Sequence, residues 1–390
     1  MTADQAPLRI VIAGGGVAGL EAALALRHAA GDLVAIELLT PEPDYLRRPE
    51  SITSPFDEAD VPRLPLQSLS ALGVTVRRGV LNAVDPERHE LGTSDGLTLA
   101  YDRLVVAVGA RARESVPGAT HFHGPLHAGA VEGAVAAVAA DPDRPLIFAV
   151  PAGVTWPLPL YELAFLSAAT LATRGVEEPA VTIVTEEPRP LAVFGRSASD
   201  AVARLLERAR IEVRTEAVSR AVYDGCLLLS SGELLSAGEV VTLPALEGPC
   251  VSGLPHDDAG FLQVDADARV ADVADVFAAG DATAGPIKQG GLAAQQADAA
   301  AARIAWEAGA LVEPAPRTPV LRGMLLTGAA PLYLRAVLDR SGRGQVSRSP
   351  LWTPPGKVAG RYLTGYLAGA DPKVELEDLQ RPVAMPADTT

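Results

Sequence analysis

The sequence predicts an α/β protein of two units, each a parallel sheet with helices on its faces, followed by a small C-terminal α+β module. Three observations carry this. A buried-strand pattern over residues 8–13 runs into Gly14-Gly15-Gly16-Val17-Ala18-Gly19, then an alanine-rich helix over 20–29 and a second strand over 33–39. Residues 119–245 loosely repeat the plan of 1–110. A later strand, Asp275-Val276-Phe277-Ala278-Ala279, ends in Gly280-Asp281 ahead of a helix that begins near Gly291.

The first element is a continuous apolar run, as a strand covered on both faces requires. Residues 41–66 are rich in proline and charge and read as loop with short helices. Residues 74–108 alternate short apolar runs with turns, Asp95-Gly96 among them, and read as β-structure. Pro117-Gly118 marks a break. Helices are expected over 128–140, 158–174 and 197–209, with strands over 145–150, 181–185, 211–214 and 218–235, the last turning at Asp224-Gly225 and Ser231-Gly232. Residues 317–367 read as the small terminal module, and the acidic, proline-containing stretch from Ala370 as a frayed tail.

Composition excludes several classes. The chain has 390 residues, enough for two or three domains. A formal charge of −15 repels phosphate backbones and anionic lipid, so nucleic acid and membrane-surface partners are not expected. Two cysteines, Cys226 and Cys250, form no CxxC and no disulfide scaffold. The uncharged stretch Pro145 to Tyr161 holds four prolines and makes a poor bilayer span. The N-terminal residues do not read as a signal peptide. A cytoplasmic protein with no integral membrane span is the expectation.

Gly14-x-Gly16-x-x-Gly19 sits between a strand and a helix, the context a Rossmann-like dinucleotide site needs. Its glycines permit a tight turn, close approach to a pyrophosphate and close helix packing, and the helix N-terminus offers partial positive charge. Tyr101 to Ala110 is a buried strand that ends at Gly109 and brings bare backbone, Ala107 and Ala110 included, against a flat ligand. In Val276 to Asp281, Gly280 again lets the chain approach, and Asp281 offers an acceptor for a sugar or ribitol hydroxyl. His121, His123 and His127 have metal-like spacing but lie in an irregular, Pro/Gly-bounded hinge, and are expected to be structural.

Taken in this order, the three motifs resemble the two-dinucleotide-domain flavoproteins, the glutathione-reductase-like superfamily with an FAD/NAD(P) fold. The subgroup resembled is that of sulfide:quinone oxidoreductase and type II NADH dehydrogenase. Pro157 to Glu162, Asp258 to Asp265 and Lys288 to Ala293 are similar to its conserved segments. The resemblance implies FAD held by a split domain of residues 1–116 and 250–316, a second NAD(P)-like domain over 117–249, and an acceptor-side module over 317–390. Gly14, Gly16, Val17, Ala18 and Gly19, with Gly280 and Asp281, would then meet the cofactor's phosphates and ribitol. Val80 would lie at adenine, Glu42 near the adenosine ribose, and Arg48, Lys288, Gln289 and Leu292 close to the flavin. Dimers are common in the superfamily resembled, which makes a homodimer possible, but the sequence does not set the oligomeric state.

Three departures bear on function. Trp156 and Leu262 stand where the subgroup has its redox cysteines, so thiolate chemistry is not expected. Thr40 stands where an acidic ribose ligand is usual, with Glu42 two residues on. The second glycine motif is reduced to Gly153 among prolines, which leaves NAD(P)H binding open; Glu186 and Glu187 end the next strand and could meet a ribose. Glu162 is the candidate for proton management, with Trp156 and Tyr161 shaping the site and Lys288 stabilising negative charge. Trp352 and Tyr362 could line an acceptor pocket. The expected function is an FAD-dependent oxidoreductase that passes electrons to a quinone-like or other small acceptor. The alternatives are a flavin-binding sensor with little turnover, and an NAD(P)H-dependent reductase of a small electron-transfer protein.

Overall fold

The computed structural model describes residues 6–57, 60–176, 180–311, 313–315, 318–339 and 344–369. The tail from Ala370 lies outside them.

The first sheet has five parallel strands in the spatial order Val276–Ala278, Arg103–Val106, Leu8–Ala13, Val34–Thr40, Val74–Arg78. Leu8–Ala13 lies near its middle, in register from Leu8 opposite Val34 to Ala13 opposite Leu39. Ile10, Val11, Ile12 and Ala13 are all buried, as covering both faces of a parallel sheet demands. Helix α1 (Val17–Ala30) follows the glycine loop and packs on α5 (Gly290–Glu307). Small buried side chains, among them Ala22, Ala25, Ala297 and Ala301, let those two helices approach.

The second sheet repeats the plan: Thr120–His121, Glu239–Thr242, Leu146–Ala149, Val181–Val184, Ile211–Arg214, all parallel. It carries α2 (Ala128–Ala140), α3 (Leu158–Thr173) and α4 (Arg196–Arg208). Each sheet is accompanied by a three-stranded antiparallel meander, residues 81–100 beside the first and 219–236 beside the second. Asp224 and Gly225 turn the second meander with both φ angles positive, at 50° and 70°, as a tight two-residue hairpin needs. The terminal module is a third antiparallel meander, Val320–Leu325, Leu332–Val337 and Gly344–Ser347, followed by the short α6 (Leu363–Leu367). No helix among the described residues is long and apolar enough to cross a membrane.

One polar contact in this core has a pH consequence. Glu21, on α1, is fully buried; Oε1 accepts from the Tyr362 N–H at 2.7 Å and Oε2 from the Leu363 N–H at 2.8 Å. Asp298 of α5 lies beside it. Burial, reinforced by the Asp298 charge, pushes the Glu21 carboxyl well above the usual range. A raised folded-state value means the stabilising proton is held at low pH, and stability is lost as pH rises from the ordinary glutamate range through the raised one. We expect the melting temperature of the protein to fall between pH 5.5 and 8.5 more steeply than that of Glu21→Gln; equal slopes would remove Glu21 as the cause.

Candidate functional site

The carboxyl ends of the strands of both sheets open onto one cleft of about 1080 Å³. It runs from the first glycine loop to Gly153, the remnant of the second, with the terminal module closing one side through Gly323, Met324, Lys357 and Val358.

The glycine loop is built by contacts that only glycine allows. Gly14 has φ +119°, its N–H donates to the Leu39 carbonyl at 2.8 Å, and a Cβ there would lie 2.1 Å from the Ala107 carbonyl oxygen. A Cβ on Gly19 would lie 1.8 Å from the Gly14 carbonyl oxygen. Gly19 therefore seats α1 on the loop rather than facing the cleft. Gly16 is the opposite case. It caps α1 with no side-chain hydrogen bond, is exposed, and a Cβ there would meet nothing within 4 Å. The open space in front of an uncapped helix N-terminus is where a pyrophosphate fits. Val17, Ala18, Ala107, Gly109 and Ala110 line the same part of the cleft.

Gly280, at φ +79°, donates its N–H to Gln296 Oε1 at 2.9 Å and packs closely on Ala18 and Ala293. Next to it Asp281 lines the cleft; burial raises its carboxyl, opposed by Lys288 and Arg48. Glu42 and Val80 line the cleft too, as does Arg48, whose charge reaches Asp281 and His123. Gln289 lines the cleft and caps α5, its Oε1 accepting from the Leu292 N–H at 2.8 Å. These residues fit the extended phosphate, ribitol and ring faces of FAD.

Lys288 lines the cleft as expected, but its ammonium is occupied. Nζ donates to the Thr283 and Asp281 carbonyls and sits 3.7 Å over the Phe261 ring. Burial lowers its pKa, with Asp281 opposing. It braces the 281–288 loop as much as it faces a ligand.

At the other end Trp156, half-buried, stands edge-on to Phe194 beside Leu158 and Pro159. There Glu162 is 2% and Lys357 8% exposed, and the two form an ion pair. Glu162 Oε1 also accepts from the Leu326 N–H at 2.8 Å, and Lys357 Nζ donates to the Met324 carbonyl at 3.1 Å. Burial raises the Glu162 carboxyl and Lys357 opposes the rise. Lys357 was not singled out by the sequence reasoning, although a signal existed: lysine occurs three times in the chain against thirty arginines, and both described lysines line the cleft.

Several expectations are corrected. Tyr161 does not line the cleft: one residue along a helix is a rotation of about 100°, and its hydroxyl donates to Glu187 Oε2 at 2.8 Å inside the second unit. Leu292 likewise packs into the second unit's core. Trp352 is buried edge-on to Tyr333, and Tyr362 packs on His28; neither reaches the cleft, which Lys357 faces instead. Glu187 is held by Tyr161, the Thr185 hydroxyl and the Ala192 N–H, so it is not open to a ribose. Leu262 is fully buried. Cys226 is partly buried in a hairpin and Cys250 exposed at the cleft rim; both are free. His121 accepts from the Ser115 N–H at 3.0 Å, whereas His123 lines the cleft beside Arg48, its pKa lowered by burial and by that charge. Among the described residues no group of three or more His, Cys, Asp or Glu could hold a metal ion.

The family model for pyridine nucleotide-disulphide oxidoreductases matches residues 8–138 and 163–301. An NADH dehydrogenase-like protein of Mycobacterium tuberculosis is 30% identical over 296 residues, 71% of this chain and 73% of that one. The crystal structure of the sulfide:quinone oxidoreductase of Aquifex aeolicus superposes with a TM-score of 0.77 at 20% identity, covering 87% of this chain and 86% of that one. A ferredoxin reductase of Rhodopseudomonas palustris gives 0.64 at 21% identity, covering 84% and 82%. The last two show the fold. With a cleft that fits FAD and a family model that spans both sheets, the chain belongs to the pyridine nucleotide-disulphide oxidoreductase family and is an FAD-dependent oxidoreductase.

Proposed function

We propose that the protein passes electrons from a reduced donor, NAD(P)H being the first candidate, to a quinone-like or other small organic acceptor, without cysteine redox chemistry. Residues 1–116 and 250–316 would hold FAD, 117–249 would meet the donor, and 317–390 would form the acceptor side. The observation that carries the reading is the buried Glu162–Lys357 pair, set among Trp156, Leu158, Pro159 and Met324 at the apolar end of the cleft. Such a wall accepts a flat, apolar molecule. The pair supplies a carboxyl whose raised pKa suits it to hold and release a proton.

Bound FAD supplies the two-electron chemistry. The protein's share is to hold it through Gly14, Gly16, Val17, Ala18, Gly280 and Asp281, and to exclude water from the apolar end. The family likeness to an NADH dehydrogenase-like protein and the fold of a quinone oxidoreductase support donor and acceptor respectively. A second reading, reduction of a small basic electron-transfer protein, is favoured by the charge of −15 and the ferredoxin reductase fold.

An anaerobic titration of the yellow protein tests the donor. Bleaching of the visible band by stoichiometric NADH or NADPH supports nicotinamide; no bleaching by either, with full bleaching by dithionite, removes it. Reoxidation of the reduced protein by a soluble ubiquinone analogue tests the acceptor, and failure of that step removes the quinone reading. Saturable transfer to cytochrome c, lost at high salt, would favour the second reading. The double variant Cys226→Ser/Cys250→Ser is expected to keep the quinone rate within about two-fold, since neither thiol stands where Trp156 and Leu262 replace the family's cysteines. A loss of several orders of magnitude would restore a thiol mechanism.

A further inference from the structure

We propose that Glu186 is a carboxylate gate on the second glycine turn, competing with the phosphates of a nicotinamide dinucleotide for the Gly153 amide; this rests on the reading of NAD(P)H as donor. The cleft extends to this turn, with Gly153, Val154 and Thr155 in its wall. Gly153 has φ +74°, and its N–H donates to Glu186 Oε1 at 2.8 Å. A carboxylate oxygen and a phosphate oxygen ask the same thing of an N–H, so the two cannot share it.

The contact matters because Gly153 stands in the cleft wall at positive φ and the start of the following helix adds few free amides. A dinucleotide site normally draws on the free amides that open its helix. In α3, Pro159 has no N–H, and the Leu160 and Tyr161 N–H groups both turn back to the Pro157 carbonyl, at 2.9 and 3.4 Å, which leaves the Leu158 N–H of the helix start facing the cleft. The Gly153 amide is therefore one of the two donors, with the Leu158 N–H, that an entering phosphate would take here, and it is the one that Glu186 holds. α1 shows the contrast, with Gly16 open and no side chain across its cap. The turn is also fixed in place: the Thr155 hydroxyl donates to the Pro286 carbonyl across the cleft. Glu187, the neighbouring carboxylate, cannot substitute, because Tyr161, Thr185 and Ala192 hold it. Glu186 is exposed, so on leaving Gly153 it is rehydrated by solvent; it competes with a ligand and does not wall one out.

The test compares wild type, Glu186→Gln and Glu186→Ala as FAD-loaded proteins. Glutamine keeps an acceptor on Gly153 without the charge, and alanine frees the amide. Calorimetry with ADP-ribose reads the turn without redox chemistry. Alanine is expected to tighten ADP-ribose about five-fold, with glutamine between, and the matching change in NADH oxidation should fall on KM rather than kcat. Weaker binding in both variants would make Glu186 a ribose ligand and overturn the gate. Unchanged affinity, or no binding by any of the three, overturns it as well. If alanine tightens ADP-ribose yet NADH bleaches none of the proteins, the gate stands and the donor reading falls.

Discussion

Replacing Glu162 by glutamine is expected to slow quinone reduction by about 100-fold, the low end of what a positioned general acid contributes. Glutamine can still accept the Leu326 N–H through its carbonyl oxygen, so the backbone contact survives and the exchangeable proton is lost. Burial places the Glu162 carboxyl above its ordinary range, so its acid form persists to higher pH than in water. The wild-type rate should therefore be highest at low pH and fall as pH rises through that raised value, while the glutamine variant should be slow and flat. Steady-state rates from pH 5.5 to 9 decide this. A variant with the wild-type rate and slope would place the acid elsewhere. Lys357→Met offers a second view of the same pair. Breaking a buried ion pair costs about 3–5 kcal/mol when the remaining charge cannot neutralise. Glu162 can take up a proton, so the deficit should be small at pH 5.5 and larger at pH 8.5.

Gly14→Ala is expected to yield a protein that binds no flavin and is destabilised by more than about 3 kcal/mol, combining a strained φ with a backbone clash. The Cβ would stand 2.1 Å from the Ala107 carbonyl oxygen. Neither wall can retreat, since the Gly14 N–H is bonded to Leu39 and the Ala107 N–H to Ala13. Gly16→Ala separates ligand from fold. Nothing in the protein opposes that methyl group, so the flavin-free form should keep its stability within about 0.5 kcal/mol. If the pyrophosphate occupies the space in front of Gly16, flavin affinity should fall at least ten-fold. Normal flavin binding by Gly16→Ala would move the phosphates away from this loop.

The sequence showed whatever is local. A buried strand, a glycine turn and a helix are fixed by neighbours in the chain, so Leu8–Ala13 and α1 could be read directly, as could the hairpin at Asp224-Gly225. Side-chain direction on a helix was less legible. Tyr161 and Glu162 are adjacent in sequence, yet one turns into the second unit and the other into the cleft, and which is which depends on what packs behind α3. Pairings across long separations were not legible at all. Lys357 lies 195 residues from Glu162, and only the path of the segment after Trp352 brings them together. Glu186 and Glu187 look equivalent in sequence; the Tyr161 hydroxyl makes them different. Scarcity is a global signal that reaches Lys357 as well as Lys288, because a chain that meets almost every need for positive charge with arginine keeps both described lysines in the cleft.

The bond from Glu21 to the first amides of α6 spans 341 and 342 residues. It has a consequence for biogenesis. During synthesis α1 emerges early, but the two N–H groups that solvate its carboxylate emerge 341 and 342 residues later, and Lys357, the counter-ion of Glu162, emerges 195 residues after its partner. Until they arrive, both carboxyls must stay hydrated or protonated, and neither helix can bury them fully. Closure of the first unit and of the Glu162 wall of the cleft is thus deferred until residues 357–363 have emerged, so a ribosome-stalled chain lacking residues beyond about 355 would have its sheets formed and its cleft still open to water.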